Sequence, residues 1–224
     1  KFNGSLGCFA PCKNGSFLIG LNLSFYIYNP HLDTLKKFVD LIDEPKENRI
    51  NDGTTDPYGR FWVGTMTSEN NTKKQNGSLY CLNSNGRVIK FLDSIYTPNG
   101  LAFNKSGTKM YFSDTGKPVQ TIWQFDYNLK TGKPMNKKVF ATTKDSKGRP
   151  DGATVDIDEC YWMAGVEGSE LVRFNENGEI INIIKLPVEK PTKPTFGNHN
   201  LNTIYLTSIG KGYEDSDSPN LNGY

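Results

Sequence analysis

The chain has 224 residues, with 26 Lys+Arg against 24 Asp+Glu and a formal net charge of +2. That balance makes no electrostatic case for nucleic acid or an anionic membrane surface, and no run approaches the roughly 18 apolar residues of a membrane span. Its 36% hydrophobic content, 22 Gly, 12 Pro, 13 Phe, 11 Tyr and 3 Trp exclude a disordered chain and suit many short strands joined by tight turns.

In chain order, the first predicted strands run from Gly7 to Gly20, followed by Phe25–Asn29 and Leu35–Val39. Next come Asn51–Thr65 and a hairpin from Ser78 to Phe91. Pro98–Asp114 follows, with partners at Thr121–Asp126 and Val139–Thr142. Then come Pro150–Ala164 with the hairpin Glu170–Ile184, and finally Pro194–Ser208. Gly53, Gly100 and Gly152 mark the start of successive copies about every 50 residues, the interval of a four-stranded propeller blade. Period-2 alternation around Asn-Gly turns is a hairpin signature, and no helical period recurs. Residues 6–41, 52–92, 99–142 and 151–187 read as four blades and residues 195–224 as half of a fifth. A ring left at that count would leave strand edges open.

The turn before each inner strand, at the channel mouth of such a ring, holds Asn51-Asp52-Gly53, Asn99-Gly100 or Asp151-Gly152. Any one of these is first of all a good turn former. Together, with Arg49 two residues ahead of Asn51, they place amide and carboxylate oxygens at one level, as a hard divalent cation requires. Asp156 and Asp158 lack the spacing of a twelve-residue calcium loop. Asp56 and Asp114 read as turn or strand-end residues, Trp62, Trp123 and Trp162 as packing between blades, and His31 and His199 as loop residues. Cys8, Cys12, Cys81 and Cys160 form no Cys-x-x-Cys pair and read as reduced thiols of a cytoplasmic protein. Six Asn-x-Ser/Thr sequons stand against about three expected by chance in so Asn-rich a chain, too small an excess to read as a secretory signal.

The run from Asn48 to Met66, Asn-Arg-Ile-Asn-Asp-Gly-Thr-Thr-Asp-Pro-Tyr-Gly-Arg-Phe-Trp-Val-Gly-Thr-Met, resembles the most distinctive segment of the regucalcin / gluconolactonase / luciferin-regenerating-enzyme (senescence marker protein) family. Asn99-Gly-Leu-Ala-Phe, Arg149-Pro-Asp-Gly152, Phe196-Gly197 and Leu206-Thr-Ser208 are similar to its later motifs, in the same order. The resemblance implies a six-bladed β-propeller with one divalent cation at the channel mouth, in a family where many members hydrolyse sugar lactones. It implies Asn99 and Asp151 as metal ligands, Asp151 as general base, and Arg49, Asn51 and Glu69 as substrate contacts. Calcium is the expected ion, with zinc, magnesium or manganese as alternatives. The family's third ligand, a Glu in an N-terminal Gly-Glu-Gly-Pro type segment, has no counterpart here. Residues 1–224 are therefore expected to form one propeller domain lacking its N-terminal blade and C-terminal strands. The expected reaction is hydrolysis of an aldonolactone. The rivals are a non-catalytic calcium-binding propeller and a protein-interaction platform.

Overall fold

The computed structural model describes residues 2–68 and 74–210. They form eighteen strands and, among the described residues, no helix. The first sheet is β1 (Leu6–Pro11), β2 (Phe17–Leu21), β3 (Ser24–Asn29) and β4 (Thr34–Asp40). The second is β5 (Asn48–Thr55), β6 (Phe61–Thr67), β7 (Gly77–Leu82) and β8 (Val88–Ile95). The third is β9 (Pro98–Phe103), β10 (Lys109–Asp114), β11 (Thr121–Asn128) and β12 (Lys133–Thr142). The fourth is β13 (Arg149–Val155), β14 (Tyr161–Val166), β15 (Glu170–Phe174) and β16 (Ile180–Lys185), and β17 (Pro191–Gly197) pairs with β18 (Thr203–Ser208). All pairings are antiparallel between sequence neighbours, so each sheet is a simple up-and-down meander.

The first strands lie side by side in the order β1, β5, β9, β13, β17. That row curves back on itself, because Lys193 on β17 reaches Asp52 on β5, three strands away. The fold is therefore all-β and propeller-like. Three apolar layers glue successive sheets. Phe25 of the first sheet packs with Ile50, Phe61 and Val63 of the second. Trp62 and Leu79 pack with Leu101, Met110 and Phe125 of the third, and Ala102, Tyr111 and Phe140 pack with Tyr161, Met163 and Phe174 of the fourth. Sandwiched between sheets on both faces, β6 and β14 are buried throughout, β14 as a continuous apolar run and β6 with Thr65 and Thr67 among its apolar residues, while β16 is exposed along its whole length. Truncating one of these fully buried aromatics to Ala would cost about 3–5 kcal/mol.

The turn between the first two strands is built the same way in three sheets. Asp56 accepts the Tyr58 and Arg60 amides, Asn104 those of Thr108 and Lys109, and Asp156 those of Asp158 and Cys160, all at 2.9 Å. Asp56 is thus a turn residue, as its sequence context suggests, and Asp156 serves the same kind of turn. Trp62 and Trp162 reach the next sheet, Trp162 edge-on to Phe196. Trp123 also packs against the layer between the second and third sheets, stacked on Phe112 with centroids 5.4 Å apart. All four cysteines are free, and His31 and His199 lie in exposed turns. Among the described residues, no helix is long and apolar enough to cross a membrane.

Candidate functional site

The expected site residues lie inside first strands rather than in the turns ahead of them. β9 begins at Pro98 as the sequence pattern suggests, β13 one residue earlier than expected and β5 and β17 three residues earlier, and each is bulged at the same level. The ladder slips between Ile50 and Asp52 in β5, between Asn99 and Ala102 in β9, between Pro150 and Ala153 in β13, and between Pro191 and Pro194 in β17. A bulge leaves residues unpaired and re-aims their side chains, which is why polar residues at these points turn to a common rim. Gly100 shows how tight the rim is. Its φ is +62°, and a Cβ there would stand 2.3 Å from the Tyr161 hydroxyl oxygen, so L side chains are excluded twice over.

Arg49, Asn51 and Asn99 are joined by a hydrogen-bond relay whose direction is forced at both ends. Arg49 Nη1, an obligate donor, bonds Asn51 Oδ1 at 2.9 Å. Asn51 Nδ2 then donates to the Pro98 carbonyl at 3.1 Å and to Asn99 Oδ1 at 3.0 Å. Asn99 Nδ2 donates to Thr115 Oγ1 at 2.7 Å, and that hydroxyl donates to the Pro150 carbonyl at 2.5 Å. A carbonyl only accepts, so Thr115 spends its proton there and must accept from Asn99, which points Asn99 Oδ1 away from Thr115. The relay ends one residue from Asp151.

Asp151 keeps a partial opening to solvent, yet burial pushes its carboxyl up to about 7. The neighbouring charge of Asp52 adds to the rise, while Lys193, the Gly152 amide and Arg149 oppose it. No ion pair of Asp151 forms among the described residues, and Arg149 is engaged with Glu167 at 2.9 Å. A desolvated carboxylate without a contacting cation, and an amide oxygen held in one orientation with a lone pair to spare, are each suited to a hard divalent ion as donors. Among the described residues, no group of three His, Cys, Asp or Glu gathers to complete a cage.

Arg49 is half-buried and makes no ion pair among the described residues. Its other bonds run to the Ile50 carbonyl at 3.1 Å and Met66 Sδ at 3.6 Å, so two of its five N–H donors have no partner among the described residues. Burial holds its pKa below the usual arginine value. Glu69 lies outside the described residues. Glu44 is remote from this chemistry. Its Oε2 accepts from Asn48 and Thr65 at 2.7 Å and its Oε1 from Tyr80 at 2.6 Å, so it anchors the segment ahead of β5.

Two residues at the rim have a role that the sequence reading did not give them. Asp52 stands in the column of Asn99 and Asp151, each ahead of a repeat glycine, and Lys193 stands where other copies carry Gly53, Gly100 and Gly152. Alignment on the glycines exposes Asp52, but the copy in β17 carries no glycine at this level, so only the bulge of β17 locates Lys193. A groove of about 710 Å³ between residues 145–147 and β16 lies elsewhere and gathers no such set of donors and acceptors.

A family model described as SMP-30/Gluconolactonase/LRE-like region matches residues 1–210. The chain belongs to this family. It is 32% identical over 203 residues to a 6-deoxy-6-sulfogluconolactonase of Pseudomonas putida, covering 91% of this chain and 68% of that protein. It is 29% identical over 215 residues to regucalcin of Xenopus laevis, covering 94% and 71%. Among solved structures, a luciferin-regenerating enzyme superposes with a TM-score of 0.88 at 28% identity, over 97% of this chain and 75% of that one. The calcium-binding protein regucalcin from Agrobacterium tumefaciens gives 0.86 at 26%, over 94% and 70%.

Proposed function

We propose that this family member hydrolyses a sugar lactone, of the aldonolactone class, to the open acid with the help of one divalent cation. The observation that carries the reading is the one-way relay from Arg49 to Pro150, which fixes the orientation of the Asn99 amide and ends at the carbonyl one residue before Asp151. Relatives named as sugar lactonases support the reaction class. Asn99 Oδ1 and the Asp151 carboxylate would hold the ion, calcium first, with zinc, magnesium or manganese as alternatives. When bound, the ion supplies Lewis-acid polarisation of a carbonyl.

Asp151 receives the proton of the attacking water, a role suited to a carboxyl lifted toward neutral pH. Arg49 offers its two spare N–H donors to the sugar oxygens and holds the ring in place. Asn51 has committed both amide protons within the protein, so it meets substrate only as an acceptor of a hydroxyl proton through Oδ1. Glu69 completes the substrate contacts in this reading. The reading also takes a single six-bladed propeller as the architecture and the cytoplasm as the location.

The second reading is a calcium-binding protein without turnover, favoured by the relatives named regucalcin. Hydrolysis of D-glucono-1,5-lactone by the purified protein, with calcium and after chelation, separates the two. The lactonase reading expects acceleration over spontaneous hydrolysis that chelation abolishes. Calcium binding without acceleration leaves the second reading, and neither result sinks both.

A further inference from the structure

Next to the rim, a single ion pair touches four of the five first strands. Lys193 on β17 places Nζ 2.6 Å from Asp52 Oδ1 and 3.3 Å from the Gly53 carbonyl, both on β5. The other oxygen of Asp52 accepts the Leu101 amide of β9 at 3.4 Å. Along its path the lysine lies over Gly152 of β13, where a Cβ would stand 2.8 Å from Lys193 Cδ and 3.0 Å from Lys193 Cβ. Only a glycine leaves room for that passage.

Each point of contact adjoins a site residue. Asp52 follows Asn51, Leu101 comes two after Asn99, and Gly152 follows Asp151. The bulge of β17 between Pro191 and Pro194 frees Lys193 from the ladder and aims it inward. Asp52 is 6% exposed, so its charge needs a partner, and the lysine supplies it from the far side of the interior. Charge compensation would need only a nearby cation. The observed pair does more, because it links strands that share no ladder.

We propose that Lys193, paired with Asp52, is a positioning residue that ties β17 to β5 and β9 and so sets the separation of Asn51, Asn99 and Asp151. The proposal rests on the lactone-site reading of that rim. A buried ion pair is weak evidence of stability, since desolvation offsets its attraction. Its worth here is geometric: misplacing reacting groups by about 1 Å can cost about 10²-fold in rate.

The test compares Lys193→Met and the double variant Asp52→Asn/Lys193→Met with the parent protein. Three quantities are read: steady-state hydrolysis of D-glucono-1,5-lactone with calcium present, the thermal unfolding midpoint, and backbone hydrogen exchange of peptides covering 98–103 and 149–155. Lys193→Met strands Asp52 as a buried, unpaired charge and should lose both stability and turnover. The double variant removes that charge, and its midpoint should return toward the parent's. Its kcat should stay about tenfold or more below the parent's while KM moves less than about threefold, and exchange of both peptides should be about tenfold faster. A double variant with parental kcat overturns the proposal, since the lysine would then only neutralise Asp52. A parent without lactone turnover defeats the lactone reading instead. Exchange then decides: faster in the double variant supports the strut, parental exchange overturns it.

Discussion

Two buried carboxylates in this protein have opposite surroundings. Glu44, ahead of β5, accepts from Asn48, Thr65 and Tyr80 and has Lys90 Nζ 3.5 Å away. Burial alone would raise its pKa, but hydrogen bonds from Ser78, Tyr80, Asn48 and Thr65 outweigh it and hold the group below the usual glutamate value. Asp151, on the bulge of β13, is desolvated without such a set of donors and is pushed up to about 7. A carboxylate saturated by protein donors has nothing left for a ligand and works as a structural tie. One that is desolvated and short of partners is held ready for a cation, a proton or a substrate.

The largest effect should come from Asp151→Asn. Lactone hydrolysis is expected to fall by about 10²-fold or more, the scale of a lost general base, and calcium affinity should fall with it. The unfolding midpoint should stay level or rise, because a desolvated charge is gone. Unchanged kcat at saturating calcium would remove Asp151 from the role of base, and a clear loss of stability would erase the contrast with Glu44.

Glu44→Gln should show the reverse pattern. The glutamine amide sets a donor against the donors of Tyr80, Thr65 and Asn48, at a cost of about 2–3 kcal/mol in urea unfolding. Turnover of the folded protein should be unaltered. An unfolding free energy within about 0.5 kcal/mol of the parent's would mean that the cluster is not the tie described.

Smaller still is the effect of Arg49→Lys. The ammonium lacks the planar fork that bonds Asn51 and keeps two further donors free. KM should rise about tenfold, with kcat changed less. Equal KM values would exclude Arg49 from substrate positioning.

The least dramatic change is in pH dependence. Because the folded pKa of Glu44 lies below its unfolded value, its contribution is fully present above about pH 4.3 and is lost as pH falls through the folded value. Unfolding free energy measured from pH 7 downward should decline more steeply below that point in the parent than in Glu44→Gln. Parallel curves would show that Glu44 is not the group responsible.

The repeat of four strands was legible in the residue order, because alternation, Asn-Gly turns and regularly spaced glycines are local features written into each copy. The turn role of Asp56 was legible for the same reason. Arg49, Asn51, Asn99 and Asp151 stood out through their place in the repeat and the resemblance it carries. Their relay did not, since its direction depends on Thr115 standing between Asn99 and the Pro150 carbonyl. The bulges were read as turns, because unpaired ladder positions and turns favour the same Asn-Gly and Asp-Gly pairs. Asp52 and Lys193 are 141 residues apart, and neither carries a local sign of the other. Only the curvature of the row of first strands brings the lysine of the fifth sheet over Gly152 to the aspartate of the second. Local hydrogen bonding and strand pairing are set by neighbours in the chain, whereas contacts across the interior depend on how the sheets stack.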